Sequence, residues 1–134
     1  MKYIVLLIAA PIILAACAFD LAHVKFKPTA ITACPENCRA FSIVTEKKLT
    51  NLPCGYDRTL KKDSKWIMIG TVEAGSVYKP TNQSLTVECS NVFEAYLVMN
   101  GNMLNGFYLP VEDGYIALAK TIELEINNDS EVKE

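Results

Sequence analysis

The sequence predicts a mostly β protein, folded as a small antiparallel sandwich or barrel that is stapled by disulfides. From Ala40 onward, turn-forming residues recur about every 8–12 positions, which is the spacing of short strands. The segments between these turns are rich in β-branched and aromatic residues. No amphipathic helical pattern extends convincingly beyond about two turns.

The expected strands follow one another in chain order, each ended by a turn or a breaker. A short apolar run begins at Trp66 and ends at Gly70, and Thr71-Val72 continue it. Other strands are expected where β-branched, aromatic or alternating residues occur, at residues 41–45, 77–79, 85–89, 115–118 and 121–126. A short helix is considered at residues 90–94 or 111–114.

A β-hairpin is the most specific local prediction. Two apolar runs, residues 95–99 and 103–109, flank Asn100-Gly101-Asn102. Asn-Gly between apolar runs favours a hairpin because both residues tolerate positive φ. Asn105-Gly106 inside the second arm indicates a β-bulge.

The first twenty residues have the features of an export signal. Lys2 is followed by an almost wholly apolar run over residues 4–14, and no charge appears between Tyr3 and Asp20. This run is too short to span a membrane comfortably, which takes about 20 residues. It ends in Leu14-Ala15-Ala16-Cys17, which resembles the lipobox of bacterial lipoprotein precursors. The open alternative is a plain secretory signal in which the cysteine falls there by chance.

The resemblance implies that residues 1–16 are removed and that Cys17, the new first residue, carries the lipid. Ala18 follows Cys17. In enterobacterial lipoproteins, Asp at this position favours retention in the inner membrane, so the resemblance implies that Ala18 favours the outer membrane. We therefore expect a palmitate-bearing protein, lipid-anchored in the cell envelope. Residues 17–32 are expected to form a lipidated tether, residues 33–126 the β domain and residues 127–134 a flexible tail.

Four cysteines remain after Cys17: Cys34, Cys38, Cys54 and Cys89. An even number in an exported domain predicts two disulfides, and three pairings are possible. Pro35 and Asn37 favour a turn that would bring Cys34 close to Cys38. That pairing is slightly preferred, and it leaves Cys54 for Cys89.

Metal sites are the competing interpretation of these cysteines, and we expect no metal and no cofactor. A four-thiolate zinc site usually has two close cysteine pairs, whereas this chain has one. A copper site of the Cys-x-x-x-Cys kind needs an added histidine. His23, the single histidine, lies in the expected tether.

The net charge and the absence of catalytic motifs argue against two classes of function, nucleic-acid binding and catalysis. Loss of Lys2 leaves 12 basic and 15 acidic side chains, a net charge of −3 that does not favour nucleic acid as a partner. No nucleophile motif, phosphate-binding loop or dinucleotide-binding turn is present, so we expect no enzyme. Glu112-Asp113 are taken as solvated turn residues. Candidate partner-binding residues are Tyr108, if it is exposed and not in the core or a cross-strand pair, and Lys61 and Lys62 of a basic cluster, whose alternative is a solvated loop.

We therefore expect an envelope lipoprotein with a protein-binding or structural role, such as helping an envelope or secretion complex to assemble. One alternative is a lipoprotein that binds a small ligand or lipid, which needs an apolar cavity. Another is an inhibitor or immunity protein directed against an exported toxin or lytic enzyme.

Overall fold

A computed structural model describes residues 26–35, 38–53 and 55–129, and in these ranges the chain forms strands and no helix. The signal, Cys17 and His23 lie outside the described residues. The strands, in chain order, are β1 (Lys27–Pro28), β2 (Thr32–Ala33), β3 (Ala40–Ile43), β4 (Lys47–Leu49), β5 (Arg58–Leu60), β6 (Lys65–Val72), β7 (Gly75–Pro80), β8 (Thr86–Glu88), β9 (Val92–Glu94), β10 (Tyr96–Asn100), β11 (Met103–Leu109), β12 (Gly114–Glu123) and β13 (Ile126–Asp129).

Nine of the thirteen described strands form one antiparallel sheet. Its order is β1-β12-β11-β10-β7-β6-β3-β13, and β2 pairs with β6 beside β3. The hairpins β4–β5 and β8–β9 form two separate two-stranded sheets. The mostly β, antiparallel prediction is confirmed. The predicted sandwich or barrel is not closed, because β1 and β13 remain the two ends of the strand order.

Two short connections bend this sheet strongly. In a flat sheet, β12 and β13 would be about 29 Å apart, six strand spacings of roughly 4.8 Å. The chain joins Glu123 of β12 to Ile126 of β13 in three steps, which span at most about 11 Å. The sheet must therefore curve until β13 approaches the end of β12.

The segment from β1 to β2 imposes the second bend. Lys27 pairs with Tyr115 of β12, whereas Ala33 pairs with Gly70 of β6. Ile31, between β1 and β2, packs against one face of the sheet, and Leu124, between β12 and β13, packs against the other. The two bends therefore curve toward opposite faces. The predicted domain boundaries stay a prediction. Sheet pairing begins with β1, within the residues expected to form the tether (17–32), and β13 continues into those expected to form the tail (127–134).

Both faces of the central strands are buried. The larger core contains Trp66, Phe107 and Leu97, and the β4–β5 and β8–β9 hairpins add further side chains to it. The smaller core lies on the other face and contains Val77, Tyr96, Val98 and Tyr108. Burial on both faces explains why β10 is a continuous apolar run rather than an alternating one.

The predicted hairpin is confirmed as β10–β11. Asn100 pairs with Met103, so Gly101 and Asn102 form the two-residue loop. Of the two loop residues, only Gly101 has a positive φ, 61°. This is expected where glycine occupies the first loop position. The bulge predicted at Asn105-Gly106 is also found, as a register shift between Leu104 and Gly106.

Neither of the considered helices forms. Residues 92–94 pair with β8 because Ser90 and Asn91 make a turn between the two strands. Residues 111–113 form a turn in which Asp113 has a φ of 50°, a conformation that a right-handed helix cannot contain.

One predicted disulfide is present, and the other stays a prediction. Cys34 and Cys38 are bonded, with their Cα atoms 6.4 Å apart. Cys89 is disulfide-bonded as well, and Cys54 lies outside the described residues. The neighbours of these two cysteines touch, because Gly55 packs directly against the backbone of Glu88. This contact favours the pairing of Cys54 with Cys89.

We predict that disulfide mapping links Cys54 to Cys89. Proteolysis of the unreduced protein, followed by mass spectrometry, should yield one crosslinked peptide pair that contains these two residues. It should also yield a peptide or peptide pair that contains the Cys34–Cys38 bond. Reduction before proteolysis serves as the control. Recovery of Cys89 joined to Cys17 would contradict the assignment.

A buried hydrogen-bond chain beneath the β5–β6 turn yields a stability prediction. The Trp66 indole N–H donates to Ser64 Oγ at 3.0 Å, and the Ser64 hydroxyl donates to the Lys61 carbonyl at 2.6 Å. Ser64→Ala leaves the buried indole N–H without an acceptor, which should lower the free energy of unfolding by about 1–3 kcal/mol. Urea unfolding measures this change. Ser84→Ala, at an exposed position, should change it by less than about 0.5 kcal/mol, and equal losses would contradict the prediction.

Candidate functional site

An open groove of about 1130 Å³ lies between β13 and the β7–β10 part of the sheet. Its apolar lining residues are Ala40, Met99, Leu124 and Ile126, and Tyr78 adds an aromatic ring. The remaining lining residues are polar, charged or glycine: Arg39, Thr45, Glu46, Lys47, Ser76, Gly101, Asn102, Glu123, Glu125, Asn128 and Asp129.

The connection between β12 and β13 forms one end of this groove. The Leu124 N–H donates to the Asn102 carbonyl at 2.8 Å, which attaches the connection to the β10–β11 turn. The Val44 N–H donates to the Glu125 carbonyl at 2.9 Å, which attaches it to the end of β3. The buried Leu124 side chain joins the larger core. The groove end is therefore held by backbone hydrogen bonds and by apolar packing.

β13 offers an edge that no described strand pairs with. It pairs with β3 through Ile126 opposite Ile43 and Asn128 opposite Phe41. The Ile43 N–H donates to the Ser64 carbonyl, on the side of β3 that faces away from β13. Ile126 and Ile43 therefore form a non-hydrogen-bonded pair. The backbone N–H and C=O groups of Ile126 and Asn128 therefore point away from β3, toward the free edge.

The floor of the groove is apolar and well packed. Tyr78 is only 7% exposed and Met99 only 2%. The Tyr78 ring packs against Phe41, with ring centroids 4.6 Å apart. Burial raises the pKa of Tyr78, and the Arg39 guanidinium opposes this by lowering it. The Tyr78 hydroxyl therefore stays protonated near neutral pH.

The rim of the groove carries net negative charge. Four carboxylates and two cations are among its lining residues. The Glu125 carboxylate accepts a hydrogen bond from Thr45 at 2.6 Å, and that of Glu123 accepts one from Asn102 at 3.1 Å. Asp129 forms an ion pair with Lys65 at 3.5 Å. In the described part of the chain, the other three rim carboxylates have no ion-pair partner within 4.0 Å.

The predicted partner-binding residues lie elsewhere. Tyr108 is 3% exposed, and its hydroxyl donates to Asp113 at 2.6 Å. The alternative of an exposed Tyr108 anchor is thus corrected: the side chain belongs to the smaller core, because it points to the face that Ile31 helps to cover. Lys61 and Lys62 are exposed on the turn after β5 and do not line the groove.

Sequence reasoning did not identify the groove. Its residues come from β3, β4, β7, β10, β12, β13 and four connections, which are far apart in the chain. The one available signal is the alternation of Ile122, Leu124 and Ile126 with Glu123 and Glu125. That alternation indicates a strand with one apolar face but does not indicate which groove it borders.

Neither a metal-binding cluster nor a membrane-spanning helix is found among the described residues. Residues 26–35, 38–53 and 55–129 contain no group of three or more His, Cys, Asp or Glu side chains arranged to hold a metal ion. In the same ranges, no helix is long and apolar enough to cross a membrane.

Comparisons with protein-family models, with curated protein sequences and with solved structures find no match to this chain.

The burial of Tyr108 yields a pH prediction. Burial and the neighbouring Asp113 raise the pKa of Tyr108 to about 12, against about 10 in an unfolded chain. Because the folded state holds this proton more tightly, its contribution to stability is complete below pH 10 and is lost as the pH rises to 12. In that window the loss approaches about 1.4 kcal/mol per pH unit.

Urea unfolding at a series of pH values from 8 to 11.5 measures this loss. Tyr108→Phe should reduce the slope above pH 10, leaving the part that arises from Tyr78, Tyr96 and Tyr115, whose pKa values are raised too. Tyr56→Phe, at a position that is 74% exposed, is the matched control. Identical slopes for wild type and Tyr108→Phe would contradict the assignment.

Proposed function

We propose that this protein is an envelope lipoprotein, anchored through Cys17 in the outer membrane, whose β domain binds another envelope protein. The N-terminal signal with Leu14-Ala15-Ala16-Cys17 supports the anchor. An exported location agrees with the disulfide between Cys34 and Cys38, which persists in oxidising compartments. Binding rather than catalysis is the role that the groove supports.

The observation that carries the proposal is the groove beside the free edge of β13. An unpaired strand edge presents N–H and C=O groups that another chain can pair with, and natural proteins usually cover or disrupt such edges. Here the edge stands next to an open groove with a packed apolar floor and a charged rim. Apolar floor and polar rim together are typical of surfaces that bind proteins.

Binding of a lipid or apolar ligand is the second candidate. The groove favours it less, because sites for such ligands are enclosed and mostly apolar. The rim of this groove contains Glu46, Glu123 and Glu125, which are all exposed. An inhibitor or immunity role is a special case of protein binding, and the identity of the captured partner distinguishes it from an assembly role.

The anchor is tested by Cys17→Ser. Because the thiol is the acceptor of the lipid, we expect that cells expressing this variant incorporate no palmitate label into the protein and that it is soluble in the periplasm. Cys34→Ser retains Cys17 and should stay labelled. Palmitate incorporation into the Cys17→Ser variant would refute the lipobox assignment.

The binding role is tested by site-specific photo-crosslinking in the cell. A photoreactive amino acid replaces Glu46 or Asn128 in the groove, or Glu94 on β9 as a control outside it. Both groove positions should crosslink the same envelope protein in near-stoichiometric yield, and Glu94 should not. Crosslinks confined to Lys62, tested in parallel, would assign binding to the basic turn instead of the groove.

A further inference from the structure

We propose that the groove receives an extended, basic segment of the partner protein, which adds as a strand to the free edge of β13. This inference rests on the proposed protein-binding function and specifies its ligand. Two features of the groove identify the segment: the edge of β13 that no described strand pairs with, and the excess of carboxylates along the rim.

The backbone of β13 determines the extended conformation. Ile126 and Asn128 direct their N–H and C=O groups away from β3, about 7 Å apart along the strand. An extended segment with the same repeat can form hydrogen bonds with both residues. A helix cannot, because its own N–H groups are paired within the helix.

The rim determines the charge of the segment. Four carboxylates face two cations, and only Asp129 has an ion-pair partner among the described residues. Thr45 and Asn102 hold Glu125 and Glu123 in place with neutral hydrogen bonds, which do not cancel their charge. With Asp129 paired to Lys65, three carboxylates remain against two cations, so the rim keeps an excess of one negative charge. Basic side chains complement this rim, whereas acidic ones are repelled.

The apolar lining explains why lysine and arginine fit better than a small cation. Met99, Leu124 and Tyr78 are at most 7% exposed, so the apolar surface within reach of a ligand comes mainly from the partly exposed Ile126 of β13. Lysine and arginine can lay their methylene stems on this side chain while the charged ends reach the rim. Alternating residues of a strand point to one face, so every second residue of the segment should be basic.

The test measures peptide binding to the lipidated protein in detergent micelles by isothermal titration calorimetry. Three octapeptides are compared: alternating Lys-Thr, alternating Glu-Thr, and alternating Lys-Thr with N-methylated backbone at every second position. The unmodified Lys-Thr peptide should bind at least tenfold more tightly than the other two, and its affinity should fall with added salt. Spermidine, a cation without a peptide backbone, should bind at least tenfold more weakly.

Two variants separate the backbone from the charge. Asn128→Pro removes an N–H at the free edge and leaves the ladder to β3 intact, because edge strands tolerate proline where the N–H faces outward. It should abolish peptide binding while the circular dichroism spectrum and the urea midpoint stay close to wild type. Glu123→Gln with Glu125→Gln keeps acceptor oxygens for Asn102 and Thr45, and should weaken binding at least tenfold. Glu94→Gln, outside the groove, should leave binding unchanged.

Each outcome bears on one proposal. Equal binding of the acidic, the N-methylated or the spermidine probe overturns strand addition by a basic segment, and so does no Lys-Thr binding at millimolar concentration. If crosslinking at Glu46 and Asn128 still captures one partner, the protein-binding function stands and this inference alone fails. If the Lys-Thr peptide binds and no partner is crosslinked, the inference stands and the proposed cellular role fails.

Discussion

The rest of the structure depends on the short connection through Leu124 and Glu125, which holds the start of β13, at the far end of the strand order, close to the end of β12. In a flat sheet, β12 and β13 would be about 29 Å apart, whereas the connection spans at most about 11 Å. Backbone hydrogen bonds from Leu124 to Asn102 and from Val44 to Glu125 hold the bend, and burial of Leu124 in the larger core stabilises it. Without this bend, Tyr78 and Met99 would face solvent and no groove would exist beside β13.

Burial on both faces makes the bent sheet stable in a chain of this size. The second bend, made by the segment from β1 to β2, brings Ile31 over the face that carries Val77 and Val98. The β4–β5 and β8–β9 hairpins cover the other face through Leu49, Leu60 and Val87. Each hairpin alone would be marginal in water, so their order comes from packing against the sheet, and the Glu88 contact with Gly55 joins the regions that contain them.

Two kinds of partner hold the carboxylates of the groove rim. Asp129 pairs with Lys65, just as Glu88 pairs with Arg58 and Asp57 with Lys48 elsewhere on the surface. Glu123 and Glu125 are instead held by an amide and a hydroxyl. Neutral donors orient a carboxylate without cancelling its charge, which leaves it able to attract a cation from solution. The same region leaves the edge of β13 without a strand partner among the described residues.

The sequence by itself determined the local features: the β class, the β10–β11 hairpin with its bulge, and the pairing of Cys34 with Cys38. Each depends on neighbouring residues, such as glycine at a loop position or a turn between close cysteines, so local rules suffice. Tertiary structure alone decided that Tyr108 is buried, that residues 27–33 belong to the sheet, and that Tyr78, Glu46 and Asn128 meet in one groove. These outcomes depend on which strands become neighbours, and alternation of apolar and polar residues shows that a strand has a buried face without showing what covers it.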